Sequence, residues 1–374
     1  MRQQPPAQPG MSEADIETPA LVVDLDALEF NLDEMARRIA PFPVGLRPHG
    51  KTHKCPVIAQ LQRRRGAAGL CVQKIAEAEA MVWGGIDDIL VTNQIVDPRK
   101  LARAMALQSV ARLTVCADSP VQVARVEAVA RAAGTRLSML VEIDVGGRRC
   151  GLDPGEPVVD LARAIANSRH LRFAGLQAYH GPAQHLRCAD ERRQAIATAV
   201  RHCEETVERL ARAGIACDVV SGAGTGTFEL EAASGIYTEI QAGSYCFMDG
   251  DYADNLDDDG RPVRSFRQAL FVLATVISTA RTDVAVLDAG HKAVSPDRGM
   301  PGVWRQPGCR ITSLSDEHAR MTFESPSQRP EIGSRVKLVP RHCDPTVDRF
   351  DWYVGVRGGR VECLWPISGR GGIQ

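Results

Sequence analysis

No two of the eleven cysteines are spaced as C-x-x-C, and they are scattered along the chain instead of clustering as a disulfide framework would. This excludes a zinc ribbon or a dithiol redox motif, and unpaired thiols suit a reducing cytosol. Charge of one sign is not in surplus either: 45 Lys and Arg face 46 Asp and Glu, and the longest basic block is Arg63-Arg64-Arg65. A nucleic-acid binder would carry a larger electrostatic footprint. No apolar run approaches the roughly 20 residues of a membrane-spanning helix. The opening MRQQPPAQPGMSEAD has no apolar centre of the kind a secretory signal needs. No repeat of fixed period is present. The expectation is a soluble, cytoplasmic enzyme or binding protein.

What is there begins with length. At 374 residues, 44% hydrophobic and 24% charged, the chain exceeds one ordinary core. The first fifteen or so residues, rich in Pro and Gln, are expected to form a loose arm. Leu21, Val22 and Val23 then read as a strand, followed by a helix with Leu28, Leu32, Met35 and Ile39 on one face. Apolar, β-branched runs follow at 44–47, 68–72, 88–92, 112–117, 138–144, 172–178, 217–221 and 238–242, with amphipathic stretches between most of them. Eight such alternations predict an α/β fold, a TIM-type (β/α)8 barrel, with a doubly wound open sheet as the alternative. After the polar turn at 255–260 the pattern changes to short strands at 270–278, 284–287, 336–339, 352–356 and 361–365. The expected division is an N-terminal arm and strand (1–25) joining a C-terminal mainly-β domain (256–374), with the barrel at 26–255.

A barrel presents its chemistry at the C-terminal ends of its strands. There the first strand runs into Arg47-Pro48-His49-Gly50-Lys51-Thr52-His53-Lys54. Cationic neighbours and burial would lower the pKa of Lys51, and such an amine can form a Schiff base with an aldehyde; a solvated basic turn is the plain alternative. Further strands end at Gln73 and Lys74, at Asn93 and Gln94, in the loop 142–151, and at Tyr179, His180 and His185, so polar side chains gather at one rim. The small-residue loops 221–227 and 241–245 follow the seventh and eighth strands. Their backbone N–H groups, the first set at a helix N-terminus, could cradle a phosphate or merely make tight turns. A cradle opposite an activated lysine suggests pyridoxal 5′-phosphate (PLP). At the end of a later strand, His342 and Asp344 would point the same way from an extended chain and could share a cation, with Cys343 facing away.

The ordered motifs TPALVVDLDALEFNL, RPHGKTHKCPVIA, VEIDVGGRRCG, GLQAYHGPAQH, SGAGTGTFE, ASGIYTEIQAGSYCFMDGDY, LVPRHCDPTVDRFDWYVGVR and WPISGRG lie within a stretch from about Glu17 to Gly371. They resemble the D-threonine aldolase and D-serine dehydratase-like group of PLP enzymes, of fold type III with an alanine-racemase-like barrel. The resemblance implies that Lys51 carries PLP and that Gln73, Arg149 and Tyr179 lie near its ring. It implies that Gly222, Gly224, Thr225, Gly243, Ser244 and Tyr245 bind the phosphate. His342 and Asp344 correspond to metal ligands, and His185 to the base of aldol cleavage. Dehydratase members resemble His-x-Cys where this chain has His342-Cys343-Asp344, so Asp344 favours Mn²⁺ or Mg²⁺ over Zn²⁺. The implied reaction is retro-aldol cleavage of a D-β-hydroxy-α-amino acid, D-threonine to glycine and acetaldehyde, by a homodimer. Alternatives are a 3-hydroxy-D-aspartate aldolase yielding glycine and glyoxylate, or a D-serine or 3-hydroxyaspartate dehydratase. A PLP carrier protein would lack residues 256–374. The chain departs from the group's pattern at Gly50, at Arg148, at Ala223, which interrupts a glycine triplet, and at His291, expected on the substrate side of the pocket.

Overall fold

In the computed structural model, which describes residues 4–374, strand β1 (Ala20–Asp24) leads directly into helix α1 (Leu25–Ile39). The Asp24 carboxylate starts the helix by accepting from the Ala27 N–H at 3.0 Å. Leu25, Leu28, Leu32 and Met35 are then buried along one face. Eight parallel strands follow: β2 (Gly45–Leu46), β3 (Leu70–Val72), β4 (Asp88–Gln94), β5 (Arg112–Ala117), β6 (Leu137–Glu142), β7 (Leu171–Ala178), β8 (Val219–Gly222) and β9 (Glu239–Ile240). Helices α2 (Pro56–Arg64), α3 (Ile75–Trp83), α4 (Pro98–Leu107), α5 (Pro120–Ala133), α6 (Glu156–Ala166), α7 (Ala189–Arg212) and α8 (Phe228–Ala233) alternate with them, and α1 completes the outer ring beside α8 and β2. Three of these helices open on proline, whose missing N–H costs nothing at a first helical position.

The strands hydrogen-bond in the order β2-β9-β8-β7-β6-β5-β4-β3. A parallel bridge between His49 and Cys71 closes the ring, supported by Ala68 N–H to Leu46 O (2.7 Å) and Cys71 N–H to Pro48 O (2.8 Å). That closure excludes the open doubly wound sheet. Alternate strand residues Cys71, Leu90, Cys116, Leu140 and Ala174 fill the interior, while Leu70, Ile89, Val91 and Val115 pack outward under the helices. Arg47 stops the N-terminal end of the barrel, its guanidinium at 2.7 Å from Asp88 and 2.8 Å from Glu239, the first residues of β4 and β9. Polarity rises toward the other end, where Gln177, Gln241 and Ser221 bond to one another.

The second sheet contains β10 (Leu270–Ser278), β11 (Val284–Leu287), β12 (Gly302–Val303), β13 (Cys309–Leu314), β14 (Ala319–Phe323), β15 (Arg335–Val339), β16 (Trp352–Arg357) and β17 (Arg360–Pro366). β1 lies inside it, antiparallel to β10 and parallel to β16. β12, β13 and β14 are additions to the strands expected from sequence; they are short or bulged, with two buried residues each in β13 and β14 and none in β12. The N-terminal arm is not loose. Gly10 N–H donates to Val361 O and Val361 N–H to Met11 O, and Ala7 and Ile16 are buried against the sheet. Residues 1–3 of that arm lie outside the described residues. His342 to Asp344, expected to be extended, instead cap and open a short helix, α9 (Cys343–Val347), with His342 as its N-cap.

Candidate active site

A cavity of about 600 Å³ opens at the C-terminal ends of the barrel strands and is roofed by the second domain. Eleven of the thirteen residues singled out from sequence line it: Lys51, Gln73, Arg149, Tyr179, His185, Gly224, Thr225, Gly243, Ser244, His342 and Asp344. Gly222 and Tyr245 do not. Gly222 ends β8, where its carbonyl accepts from Gln241 N–H. The Tyr245 phenol is buried against Gln62 (3.1 Å), and its N–H donates to Thr225 Oγ1.

Lys51 sits on a tight turn after β2, enclosed by protein, with 36% of its side chain open to the hollow. The expected lowering of its pKa is not what the surroundings produce. Burial pulls the ammonium down, but Asp344, 3.7 Å away, and Tyr179 pull the other way harder, and the net direction is up. The cations expected to crowd it are occupied or neutral. Arg47 lies at the opposite end of the barrel, and Lys54 is paired with Asp348 (2.7 Å) and Glu77 (3.3 Å). Burial drives His49 well below the usual imidazole range and His53 to about 4. His49 Nε2 instead meets Thr92 Oγ1 and Gln73 Nε2, both at 3.1 Å, which holds Gln73 at the rim.

Across the cavity the two small-residue loops face Lys51. Among the described residues the N–H groups of Gly224, Thr225, Gly243 and Ser244 make no hydrogen bond, an unusual state for enclosed amides. A Cβ on Gly224 would stand 2.6 Å from Gln184 Oε1, and one on Gly243 2.7 Å from Thr52 Oγ1. Four free donors in a hollow that small residues keep open fit the phosphate of PLP, and Lys51 opposite them fits its aldehyde. The helix after the first loop begins only at Phe228 and is six residues long, so the cradle is a turn and not the helix N-terminus expected from sequence. Ala223 occupies the left-handed region at φ +69°, where a side chain is strained.

The second domain contributes His342 and Asp344. They face the cavity as the cap and first-turn residues of α9, not as alternate residues of a strand. Cys343 between them is buried, its N–H held by Asp249 at 3.1 Å. No cluster of three His, Cys, Asp or Glu donors occurs among the described residues. One imidazole and one carboxylate fit a hard divalent ion with substrate or water completing the shell. Arg149 lies 5.8 Å over the Tyr179 ring and 3.8 Å from Glu142. His291 is not among the lining residues; its carbonyl accepts from Arg349.

Sequence reasoning missed the groups that hold these residues. Asp249, pushed up to about 6 by burial, bonds Cys343 N–H and Tyr252 N–H. Asp251 bonds His185, and Asp297 bonds His342 Nδ1 at 2.7 Å. The signal available for the first two was the acidic MDGDY at the end of a motif already singled out; Asp297, 45 residues from His342, left none.

Residues 23–251 match the alanine racemase N-terminal domain family, and residues 269–356 a serine dehydratase domain. A D-threonine aldolase of Arthrobacter sp is 45% identical over 98% of this chain and 96% of its own length. A 3-hydroxy-D-aspartate aldolase of Paracoccus denitrificans (strain Pd 1222) is 43% identical over 98% and 95%. The crystal structure of a D-threonine aldolase from Filomicrobium marinum superposes with a TM-score of 0.97 at 44% identity, covering 100% of both chains. A closed barrel with its rim chemistry, a β domain that reaches over it, and whole-length identity to these enzymes lead to one assignment: the chain belongs to the D-threonine aldolase family, built on the alanine-racemase-type barrel.

Proposed function

We propose that the protein cleaves D-β-hydroxy-α-amino acids by a PLP- and divalent-metal-dependent retro-aldol reaction, D-threonine giving glycine and acetaldehyde. The supporting observation is that one cavity contains Lys51, four unpartnered loop amides, His185, and the His342–Asp344 pair. Bound PLP supplies a carbonyl for the substrate amine and a ring that takes the electron pair released at Cα, while a bound cation supplies a Lewis acid at the β-oxygen. Lys51 would anchor the cofactor, and the amides of Gly224, Thr225, Gly243 and Ser244 would hold its anionic end. Gln73, Arg149 and Tyr179 would lie beside the ring. His342 and Asp344 would hold the cation in the cavity that His185 also lines. Burial lowers the His185 pKa against the pull of Asp251, which leaves the imidazole neutral and able to accept the β-hydroxyl proton. The Cα–Cβ bond then breaks, aldehyde leaves, and a proton delivered to Cα completes glycine.

The test is a product assay on D-threonine, 3-hydroxy-D-aspartate and D-serine, with and without a chelator. Aldehyde plus glycine, lost on chelation, is the expected result. Ammonia plus a keto acid would establish dehydration instead. The unpaired cysteines, all eleven of them free thiols, support a cytoplasmic setting, and the family resemblance supports a homodimer, which light scattering of the eluting protein checks.

A further inference from the structure

We propose that Asp251, gripped by Arg187, is a positioning residue that holds His185 in the one tautomer able to act as a base. The inference rests on the retro-aldol reading only for the role of His185. His185 ends the turn Pro182–His185, and its Nδ1 lies 2.5 Å from Asp251 Oδ2. The Asp251 carboxylate is 5% exposed, and its other oxygen accepts from the Arg187 guanidinium. Arg187 also donates to the Asp251 carbonyl and, at 2.8 Å, to Asn255 Oδ1, which fixes its direction. Burial pushes Asp251 up, but Arg187 and His185 outweigh it and hold the carboxyl below its usual range.

An ionised carboxylate only accepts hydrogen bonds, so Nδ1 of His185 must carry the proton. In the neutral ring Nε2 is then the bare nitrogen, available to substrate. The other groups facing the ring do not compete for Nδ1: the Arg187 and Arg298 guanidinium groups are cations that lower the imidazole pKa, and Tyr252 presents its ring at 5.6 Å. This is the arrangement in which a carboxylate orients a catalytic imidazole without itself exchanging a proton.

Arg187 makes the arrangement one-directional. In Asp251→Asn, the guanidinium has only donors, so the amide oxygen must turn toward it and the NH₂ must face His185. Nδ1 then becomes an acceptor and the proton moves to Nε2, the atom that should receive one. The experiment uses ¹⁵N-histidine-labelled holoenzyme, the His185 signal being identified by its loss in His185→Gln. Expected for the parent protein is neutral His185 protonated at Nδ1. Asp251→Asn should carry the proton on Nε2, lose about a hundredfold or more in kcat with little change in KM, and move the acid limb of the pH profile downward. Arg187→Met, whose fold does not depend on the Asn substitution, should keep the Nδ1 tautomer and move the acid limb upward. An unchanged tautomer in Asp251→Asn overturns the proposal even if kcat falls, since that loss would be structural. Acid limbs that move the same way in both variants overturn it as well. Full activity in His185→Gln would remove the base reading and leave the tautomer measurement to decide the positioning on its own.

Discussion

The two halves of the active site are held in place by different means. The barrel half consists of strand ends and the loops just beyond them, so Lys51, Gln73, Tyr179 and the cradle amides inherit their positions from the parallel ladder. The β-domain half is a single short turn, α9, fastened to the barrel by side chains and, just before it, by Gly250 N–H to Pro340 O (3.0 Å) and Asp251 N–H to Arg341 O (3.1 Å). Asp249 takes the Cys343 N–H, Lys54 takes Asp348, and Arg341 pairs with Asp254. One half rests on a whole ladder of backbone hydrogen bonds, the other on two such bonds and a few replaceable side-chain contacts. Cofactor retention and metal dependence should therefore separate under mutation.

The sharpest break comes from Lys51→Ala, expected to cost on the order of a thousandfold or more in kcat, as losing a covalent catalytic group does. The visible absorbance of the lysine-linked cofactor should vanish with it; an unchanged spectrum ends the assignment of Lys51. On the other half, Asp344→Ala should cost on the order of a hundredfold, about 3 kcal/mol of the stabilisation a Lewis acid supplies, and abolish stimulation by Mn²⁺. Here the cofactor spectrum should persist. If it is lost too, the two halves are not separable and the comparison fails.

Two smaller changes probe the barrel half alone. Glu231 on α8 is buried beneath the cradle loop, bonded to Thr227 Oγ1 at 2.8 Å, with its pKa raised from 4.5 to about 7 by burial. A folded pKa above the unfolded one means that the fold prefers the protonated form. That stability is complete below about pH 4.5 and is lost as pH rises to about 7, roughly 3 kcal/mol in all. Glu231→Gln should leave denaturant midpoints unchanged near pH 4.5 and raise them above pH 7; equal midpoints at pH 8 would remove the argument. Ala223→Gly should relieve the left-handed residue at φ +69°, stabilising the cradle by ~1 kcal/mol and slowing cofactor loss on dilution. Neither change should alter the metal concentration that gives half-maximal activity.

Legibility in the sequence followed the same division. The eight barrel strands were visible because buried parallel strands are continuous apolar runs, as at Ile89, Leu90 and Val91. The late strands β13 and β14 were not, since fewer than half their residues are buried and a bulge breaks the alternation. For His342 and Asp344 the expected extended geometry gave way to a cap and first turn. A two-residue spacing suits a strand, but it equally suits a cap and the first turn that follows it.

By itself the sequence determined the barrel, the lysine after its first strand, the glycine-rich loops after its last two, and the His342-Cys343-Asp344 run near a later strand. These are local patterns, written in periodicity and in residues a few positions apart. Only the tertiary structure decided the electrostatics. Lys51 looked crowded by cations because Arg47 and Lys54 are its neighbours in the chain. Folding sends Arg47 to the far end of the barrel, pairs Lys54 with Asp348, and brings Asp344 from 293 residues away to within 3.7 Å. A charge responds to what surrounds it in space, and a strand end followed by a tight turn sends Arg47, Lys51 and Lys54 to different partners although the sequence places them together.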